Sequence, residues 1–382
     1  MNTEGLRVLV IRAAYAVALI AAVGWAYLLV SVSAANGTLG YDFRAYQLAV
    51  QHLLAGQPMY DQAATSLGAF GLFFYPPPFA ILVLPFAVIP GDAGLWIWTI
   101  GLVAASIAAV AILPVSPRTR FVVLLLAAFS WPLVYAIKLG QVGSLLLLLF
   151  AIGWRWLERP WPLGLASGIG AVIKLQPALV IAWAAVTGRF KAAAIGFGVF
   201  AGLGLVATVI AGPESWSDWM AVLGRVSRPV LAENDTGFGR LAYLGGASLV
   251  LATAIHYVNA ALIVIVTSFA VLRASPVAAY LAIVVASQFV SPVLWDHYAL
   301  ILLLPVAWLF ERRRVWAALI PLVSATVLAG ATPTIAYPVV FWVTLLAVTW
   351  EGVAMRRGPR ERGPAETLRA QGNPESGGIL AA

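Results

Sequence analysis

The chain has 382 residues, of which 62% are hydrophobic and 10% are charged, and its formal net charge is +8. Soluble domains are roughly half apolar, so this composition excludes a water-soluble globular protein and indicates an all-α, polytopic integral membrane protein. The chain has no cysteine, which excludes disulfides, thiol nucleophiles and thiolate metal sites. Its basic residues lie mostly at the ends of apolar runs, so we expect anionic membrane lipids, and no nucleic acid, as partners.

The apolar runs predict about 11–12 transmembrane or re-entrant helices within a single membrane domain over residues 1–355. The first run, 8–34, is too long for a cleaved signal peptide and is predicted to be a retained helix. Several later runs are shorter than the ~20 residues that span a bilayer, so we expect some pieces not to cross alone. The later runs are 76–90, 93–113, 120–137, 143–157, 162–187, 190–211, 246–271, 276–292, 297–310, 315–330 and 336–354.

Charge predicts the orientation of the second half of the chain. Lysines and arginines cluster after residues 188, 272, 311 and 355, which predicts that these ends are cytoplasmic. The segments 35–75 and 212–245 are then exoplasmic, and 356–382, which is polar, is predicted to be a disordered cytoplasmic tail.

The first half allows two arrangements. If every run crosses, Arg118 and Arg155 lie outside and Gln141 lies inside. If one piece of 76–113 and one piece of 162–187 are re-entrant, these three assignments are reversed.

The segment after the first helix predicts short interfacial helices. Six apolar residues recur at helical spacing, and Gly56 and Pro58 then interrupt the pattern; the six are Phe43, Tyr46, Ala49, Val50, Leu53 and Leu54. Asp42 begins this helix at the boundary with water. Its carboxylate is predicted either to cap the helix or to take part in chemistry.

Five segments place polar residues within or beside apolar runs, where such residues are costly unless they are used. They are YDFRAY at 41–46, FYPPPF at 74–79, LGQVG at 139–143, AVIKLQP at 171–177 and SPVLWDHY at 291–298. Taken in this order, they resemble glycosyltransferase family 87, whose members are GT-C membrane enzymes that use a polyprenyl-phosphate sugar, typically mannose. The resemblance covers about residues 40–305.

The resemblance implies roles for individual residues. Asp42 is similar to the general base that activates the acceptor hydroxyl, and it is expected to stay ionised if Arg44 or another cation lies close. Lys174 is expected to counter the charge of the donor phosphate, although a lysine that reaches an interface beside a proline would look the same. His297 is expected to bind the phosphate or the acceptor, or simply to begin a helix.

Four further candidates complete the implied binding site: Gln141, Arg44, Tyr46 and Tyr75. Gln141 can donate to and accept from a sugar or a phosphate, or it can mark a tight backbone approach. Tyr46 and Tyr75 lie in the same motifs, and Tyr75 with the prolines after it also sets how the next span enters the membrane. Asp296 is expected to be a cap or a partner of His297. We expect no metal and no cofactor.

The resemblance implies transfer of a hexose, with inversion, from a polyprenyl-phosphate donor to a glycolipid or glycan acceptor. The protein is expected to lie in a bacterial inner membrane, with its site facing the periplasm. The alternative is a transporter or flippase of polyprenyl-linked glycans, although no internal repeat supports it. A scaffold without activity is a third possibility.

Overall fold

A computed structural model describes residues 3–63, 72–89, 92–328 and 330–357. Within these ranges the chain is helical, with one isolated bridge between Ser130 and Ala325, which confirms the predicted all-α class. The α-helices are α1 (Thr3–Ala35), α2 (Tyr41–Leu54), α3 (Pro77–Val83), α4 (Ala93–Ala111), α5 (Pro117–Phe129), α6 (Trp131–Leu139), α7 (Gly143–Arg155), α8 (Pro160–Ile173), α9 (Ala178–Val186), α10 (Phe190–Ala211), α11 (Glu214–Val226), α12 (Phe238–Leu244), α13 (Leu249–Arg273), α14 (Pro276–Phe289), α15 (Leu303–Glu311), α16 (Leu319–Leu322) and α17 (Ala336–Arg357). Short 3-10 helices cover Leu84–Ala87, Asp296–Leu302, Val315–Ala318 and Thr326–Leu328.

Five of these helices are long and apolar enough to cross a membrane, which makes the protein an integral membrane protein. They are Ala13–Ala35 within α1, α4, α10, α13 and Ala336–Arg356 within α17. The other predicted runs are shorter or divided. The run 120–137 is divided at Ser130, which is extended and precedes Pro132 in the first turn of α6, and 162–187 is divided at 174–177, before the helix that follows Pro177.

Most of the basic residues lie at one end of the helical bundle, which we call the basic end. Glu311 accepts a hydrogen bond from the Ser116 hydroxyl at 2.9 Å, and Arg314 pairs with Glu351 at 2.6 Å. These contacts bring the start of α5, the end of α15 and the end of α17 together. Arg189, which immediately precedes α10, pairs with Glu158 in the loop after α7 at 2.6 Å. This pair lies at the basic end as well.

The opposite end, which we call the site end, contains the five polar segments. Gln47 of α2 donates to the Phe86 carbonyl at 3.0 Å, and Tyr46 of α2 donates to Tyr75 at 2.8 Å. The segment 75–86 therefore begins and ends beside α2, as a re-entrant piece does. Helices α8 and α9 likewise reverse direction at Lys174, which begins the break between them. The contacts thus favour the second of the two arrangements that the sequence allows.

Close helix packing holds the α8–α9 hairpin against α10. A Cβ atom on Gly164 would lie 2.6 Å from the Ala192 carbonyl oxygen, and one on Gly168 would lie 2.6 Å from the Gly196 carbonyl oxygen. Small residues four apart on both helices let the two backbones approach in the absence of a strong hydrophobic driving force within lipid. This contact fixes the position of the break that follows α8.

The predicted interfacial helix is α2, which ends at Leu54 just before Gly56. Phe43, Tyr46, Ala49 and Val50 are buried along one face of α2, whereas Leu54, the last of the six apolar residues, is 58% exposed. Within 212–245, α11 and α12 form, and α11 is joined to the segment before α3 by a hydrogen bond from Trp219 to the Phe74 carbonyl at 2.9 Å. The predicted tail lies outside the described residues from 358 onward.

Candidate active site

Asp42 lies in the first turn of α2, where the helix dipole favours a carboxylate. Gly40, which precedes the helix, has φ of 75°, a left-handed conformation that glycine adopts without steric cost. Its amide donates to the Lys138 carbonyl at 2.7 Å, which ties the start of α2 to the end of α6. The side chain of Asp42 is thereby directed at the turn between α6 and α7, and part of its surface stays accessible.

That turn brings Gln141 to Asp42. Gly140 has φ of 74°, and a Cβ atom there would lie 2.8 Å from the Cβ atom of Phe43. The Gly140 carbonyl accepts from the indole N–H of Trp98 at 2.8 Å. Gln141, which is 7% exposed, then donates through Nε2 to Asp42 Oδ2. The close backbone approach considered for this motif is present, and it brings the amide within reach of Asp42.

A chain of hydrogen bonds sets the direction of the Gln141 amide. Tyr46 donates to the Tyr75 hydroxyl at 2.8 Å, and Tyr75 donates to Gln141 Oε1 at 2.8 Å. Because the amide oxygen accepts from a hydroxyl, the amide NH₂ group faces the carboxylate. Tyr46 and Tyr75 are buried side chains that act on Asp42 through Gln141.

Burial raises the pKa of Asp42 to about 7, while the Gln141 hydrogen bond and the charge of Lys174 act in the opposite direction. A carboxyl group with this pKa is about half ionised at neutral pH. A general base works best when its pKa lies near the working pH. Asp42 was expected to stay ionised if a cation lay close; Lys174 does act on it, but burial outweighs that charge and the Gln141 hydrogen bond.

Arg44 does not supply the cation near Asp42. Its guanidinium lies 3.6 Å from the carboxylate of Asp92, and the two side chains are 44% and 75% exposed. Side chains at i and i+2 of a helix face different directions, so Asp42 and Arg44 diverge. Lys174 is the cation whose charge acts on Asp42.

Lys174 lies in extended backbone at the break after α8. Its ammonium group donates to the Tyr298 hydroxyl at 2.9 Å and lies 4.1 Å from the centre of the Tyr298 ring. The Tyr75 ring centre is 5.9 Å away. The side chain therefore points into the site, toward the aromatic rings and the Asp42 carboxylate, rather than reaching along the bundle surface. The sequence suggests no role for Tyr298. Its position at the end of the last motif is the only sequence feature that could have indicated one.

His297 is a buried side chain on which the charge of Lys174 acts. It is 2% exposed, and within the described residues neither Nδ1 nor Nε2 has a hydrogen-bond partner. Its Nδ1 lies 3.5 Å from Asp296 Oδ1, and its backbone amide donates to the same oxygen at 2.7 Å. Asp296 also accepts from the indole of Trp131 at 2.9 Å. Asp296 thus orients the turn that carries His297, as expected.

The segments that the sequence singled out thus meet at the site end. Asp42, Gln141, Tyr46 and Tyr75 form one hydrogen-bonded set, and Lys174 joins it to the last motif. In the part of the chain that the structure describes, no group of three or more His, Asp and Glu side chains is placed so that it could hold a metal ion. The arrangement combines a buried carboxylate with a nearby cation and a buried histidine that lies beside Asp296.

The comparisons with known proteins identify the family of this membrane protein. The family model of glycosyltransferase family 87 matches residues 73–294, which is more than half of the chain. The chain belongs to glycosyltransferase family 87. This membership makes it an enzyme and removes the basis for the transporter and scaffold alternatives.

Two curated relatives are similar in sequence to this chain over much of its length. One is the polyprenol-phosphate-mannose-dependent alpha-(1-2)-phosphatidylinositol mannoside mannosyltransferase of Mycobacterium tuberculosis, 28% identical over 76% of this chain and 76% of the relative. Another is the polyprenol-phosphate-mannose-dependent alpha-(1-2)-phosphatidylinositol pentamannoside mannosyltransferase of Mycolicibacterium smegmatis, 29% identical over 62% of each chain.

Proposed function

We propose that this glycosyltransferase moves mannose from a polyprenyl-phosphate carrier to a hydroxyl of a glycolipid acceptor, with inversion, at the exoplasmic face of a bacterial plasma membrane. The observation that carries the proposal is the placement of Asp42, held by Gln141, within electrostatic reach of Lys174. The names of the two relatives support the donor and the type of acceptor. Their acceptors are phosphatidylinositol mannosides, which are the first acceptors to test.

Asp42 is the proposed general base. The acceptor hydroxyl donates to the carboxylate, and its oxygen attacks the anomeric carbon from the face opposite the phosphate. The proton passes to Asp42 as the new bond forms, and the bond between the anomeric carbon and the phosphate oxygen breaks. A β-linked mannosyl phosphate then gives an α-mannoside. A base placed in this way contributes about 10²–10⁴-fold to the rate.

Lys174 and His297 are proposed to receive the leaving phosphate. The electron pair of the broken bond stays on the phosphate, and a preorganised cation stabilises that charge most where water is excluded. Lys174 uses one N–H on Tyr298, and an ammonium group has three, so two remain for phosphate oxygens. His297 adds a buried imidazole whose Nδ1 faces Asp296 and whose Nε2 has no hydrogen-bond partner among the described residues.

The distribution of charge supports an exoplasmic site. The basic end carries most of the lysines and arginines, and loops rich in these residues stay in the cytoplasm. The site end lies at the other end of the bundle. A polyprenyl-phosphate sugar is a donor that remains in the membrane, so a site at the bilayer boundary, where Asp42 lies, can receive its head group.

The experiment that tests the reaction uses purified protein in liposomes with radiolabelled polyprenyl-phosphate mannose and phosphatidylinositol mannosides. We expect labelled glycolipid whose new residue is released by an α-mannosidase and not by a β-mannosidase. Nucleotide-linked mannose serves as the matched donor control and is expected to give no product. Transfer from the nucleotide donor alone, or a β-linked product, would contradict the proposal.

A further inference from the structure

A depression at the site end, separate from Asp42, has no role in the proposed transfer step. Its lining includes Asp235, His256, Asn259, Ser291 and Leu294, which come from the segment after α11, from α13 and from the loop after α14. The empty volume, including open solvent, is about 320 Å³, and the enclosed part has room for a group about the size of one water molecule. A sugar hydroxyl has this size, whereas a whole sugar ring does not.

Asp235 lines this pocket and has one carboxylate oxygen without a hydrogen-bond partner among the described residues. The residue is 4% exposed. Its Oδ1 accepts from the backbone amides of Gly237 at 2.8 Å and Leu294 at 3.0 Å. Its Oδ2 is buried without a hydrogen-bond partner among the described residues. A buried carboxylate oxygen without a donor is unfavourable, so the atom is suited to receive a donor from a ligand.

The pocket also contains donors, and this restricts the kind of ligand. The side-chain oxygen of Asn259 accepts from the indole of Trp342 at 2.8 Å, which leaves its NH₂ group to donate. An ammonium group only donates and a phosphate only accepts, whereas a hydroxyl does both. A pocket with a carboxylate acceptor beside an amide donor therefore matches a hydroxyl. A divalent cation would need more oxygen ligands than one carboxylate supplies.

Two connections join the pocket to the active site. Thr236 donates to the Leu294 carbonyl through its backbone amide and its hydroxyl, each at 2.8 Å, shortly before the turn that carries His297. Ser291 accepts from the Gln176 amide at 3.3 Å, two residues after Lys174. A ligand that occupies the pocket therefore also lies beside both segments of the active site.

We propose that the pocket around Asp235 is a subsite that binds one hydroxyl of the acceptor glycan, and so positions the acceptor for transfer. The hydroxyl donates to Asp235 Oδ2 and accepts from a pocket donor such as the Asn259 amide. This inference rests on the proposed function, since it assigns the acceptor of that same reaction. Asp235 is a specificity residue here and takes no part in proton transfer.

The test is Asp235→Asn, with Glu233→Gln as the matched control. In Asp235→Asn, Oδ1 keeps its two backbone hydrogen bonds, and only the atom in the pocket changes from acceptor to donor, so the variant is expected to fold. Glu233 is an exposed acid two residues away and undergoes the same change of charge. The acceptor probe is phosphatidylinositol mannoside in nanodiscs, and it is measured both by steady-state transfer and by equilibrium binding without donor.

We expect Asp235→Asn to raise the acceptor KM and Kd by roughly 10- to 100-fold, the effect of losing a hydrogen bond to a charged group. The donor KM and the kcat at saturating acceptor are expected to stay within about twofold, as is normal when only uniform binding is lost. Glu233→Gln is expected to match the wild type.

Equal acceptor Kd values for the wild type and Asp235→Asn would overturn the subsite, and so would a loss of kcat with unchanged KM. Failure of transfer in the wild type, with acceptor binding that depends on Asp235, would reject the proposed reaction and leave the subsite standing. Binding without donor therefore separates failure of the two proposals.

Discussion

Replacing Gln141 with Met tests whether its amide sets the basicity of Asp42. Methionine has a similar length and no donor, so the substitution removes the hydrogen bond to Asp42 Oδ2 and leaves the backbone turn at Gly140 in place. The Tyr75 hydroxyl loses its acceptor at the same time. Because Gln141 stabilises the ionised form of Asp42, its loss is expected to raise the pKa of Asp42 above about 7.

The size of this change follows from the kind of hydrogen bond that is lost. A hydrogen bond to a charged group contributes about 1.5–3 kcal/mol, and one pKa unit corresponds to about 1.4 kcal/mol. The pKa of Asp42 is therefore expected to rise by about one to two units. At pH 7 the ionised fraction would fall from about one half to about 1–10%, with a loss of rate of about 5- to 50-fold.

The assay is the pH dependence of kcat for mannosyl transfer between pH 5.5 and 9.5. Since Asp42 acts as a base, the wild-type rate is expected to fall as the pH drops through about 7. Gln141→Met is expected to shift this fall to about pH 8–9 and to recover most of its rate at high pH. Gln47→Met is the control, because Gln47 lies on α2, the helix of Asp42, but donates to the Phe86 carbonyl.

Three results would refute this reasoning. A pH midpoint that is the same in Gln141→Met and the wild type would show that the amide does not act on the base. A loss of rate that is equal at all pH values would show a structural effect on the site. A similar shift in Gln47→Met would point to movement of α2 rather than to the lost hydrogen bond.

Two further substitutions test other parts of the account. Lys174→Met is expected to lower kcat by about 10²–10³-fold, the usual effect of removing one group that stabilises developing negative charge. High pH is not expected to restore the rate. Recovery at pH 9 would mean that Lys174 acts only on the pKa of Asp42. Gly140→Ala is expected to lower stability by about 1–3 kcal/mol, since its Cβ atom would meet Phe43 in a left-handed backbone. Gly101→Ala, where nothing lies within 4 Å of the new atom, should not lower the thermal midpoint; equal midpoints for the two variants would contradict the close approach.

The residues that the sequence selected lie together in the structure, whereas the points at which the chain reverses direction could not be predicted from hydropathy. Polar residues in apolar runs are conspicuous, so Asp42, Gln141 and Lys174 could be selected before any contact was known. Hydropathy does not show where a run reverses. The break at Lys174 is predicted locally by Pro177, but the contacts that place it beside Tyr298 join residues 124 positions apart.

The sequence indicates least about which charged side chains pair with one another. Arg44 is two residues from Asp42, and proximity in sequence favoured a pair. Helical geometry separates them, and Arg44 instead meets Asp92 from the segment before α4. The cation that acts on Asp42 comes from α8, which no local pattern could show. Pairing of this kind depends on the packing of whole helices, such as the contact of Gly164 with α10.

The central claim is that Asp42 is the base for mannosyl transfer, and Asp42→Asn tests it most directly. The measurement is single-turnover transfer from radiolabelled polyprenyl-phosphate mannose to phosphatidylinositol mannoside, with donor binding measured on the same samples. Asp92→Asn is the matched control, since Asp92 is exposed and pairs with Arg44. We predict that Asp42→Asn binds donor normally and transfers about 10²–10⁴-fold more slowly, while Asp92→Asn matches the wild type. Transfer by Asp42→Asn at the wild-type rate would contradict the account.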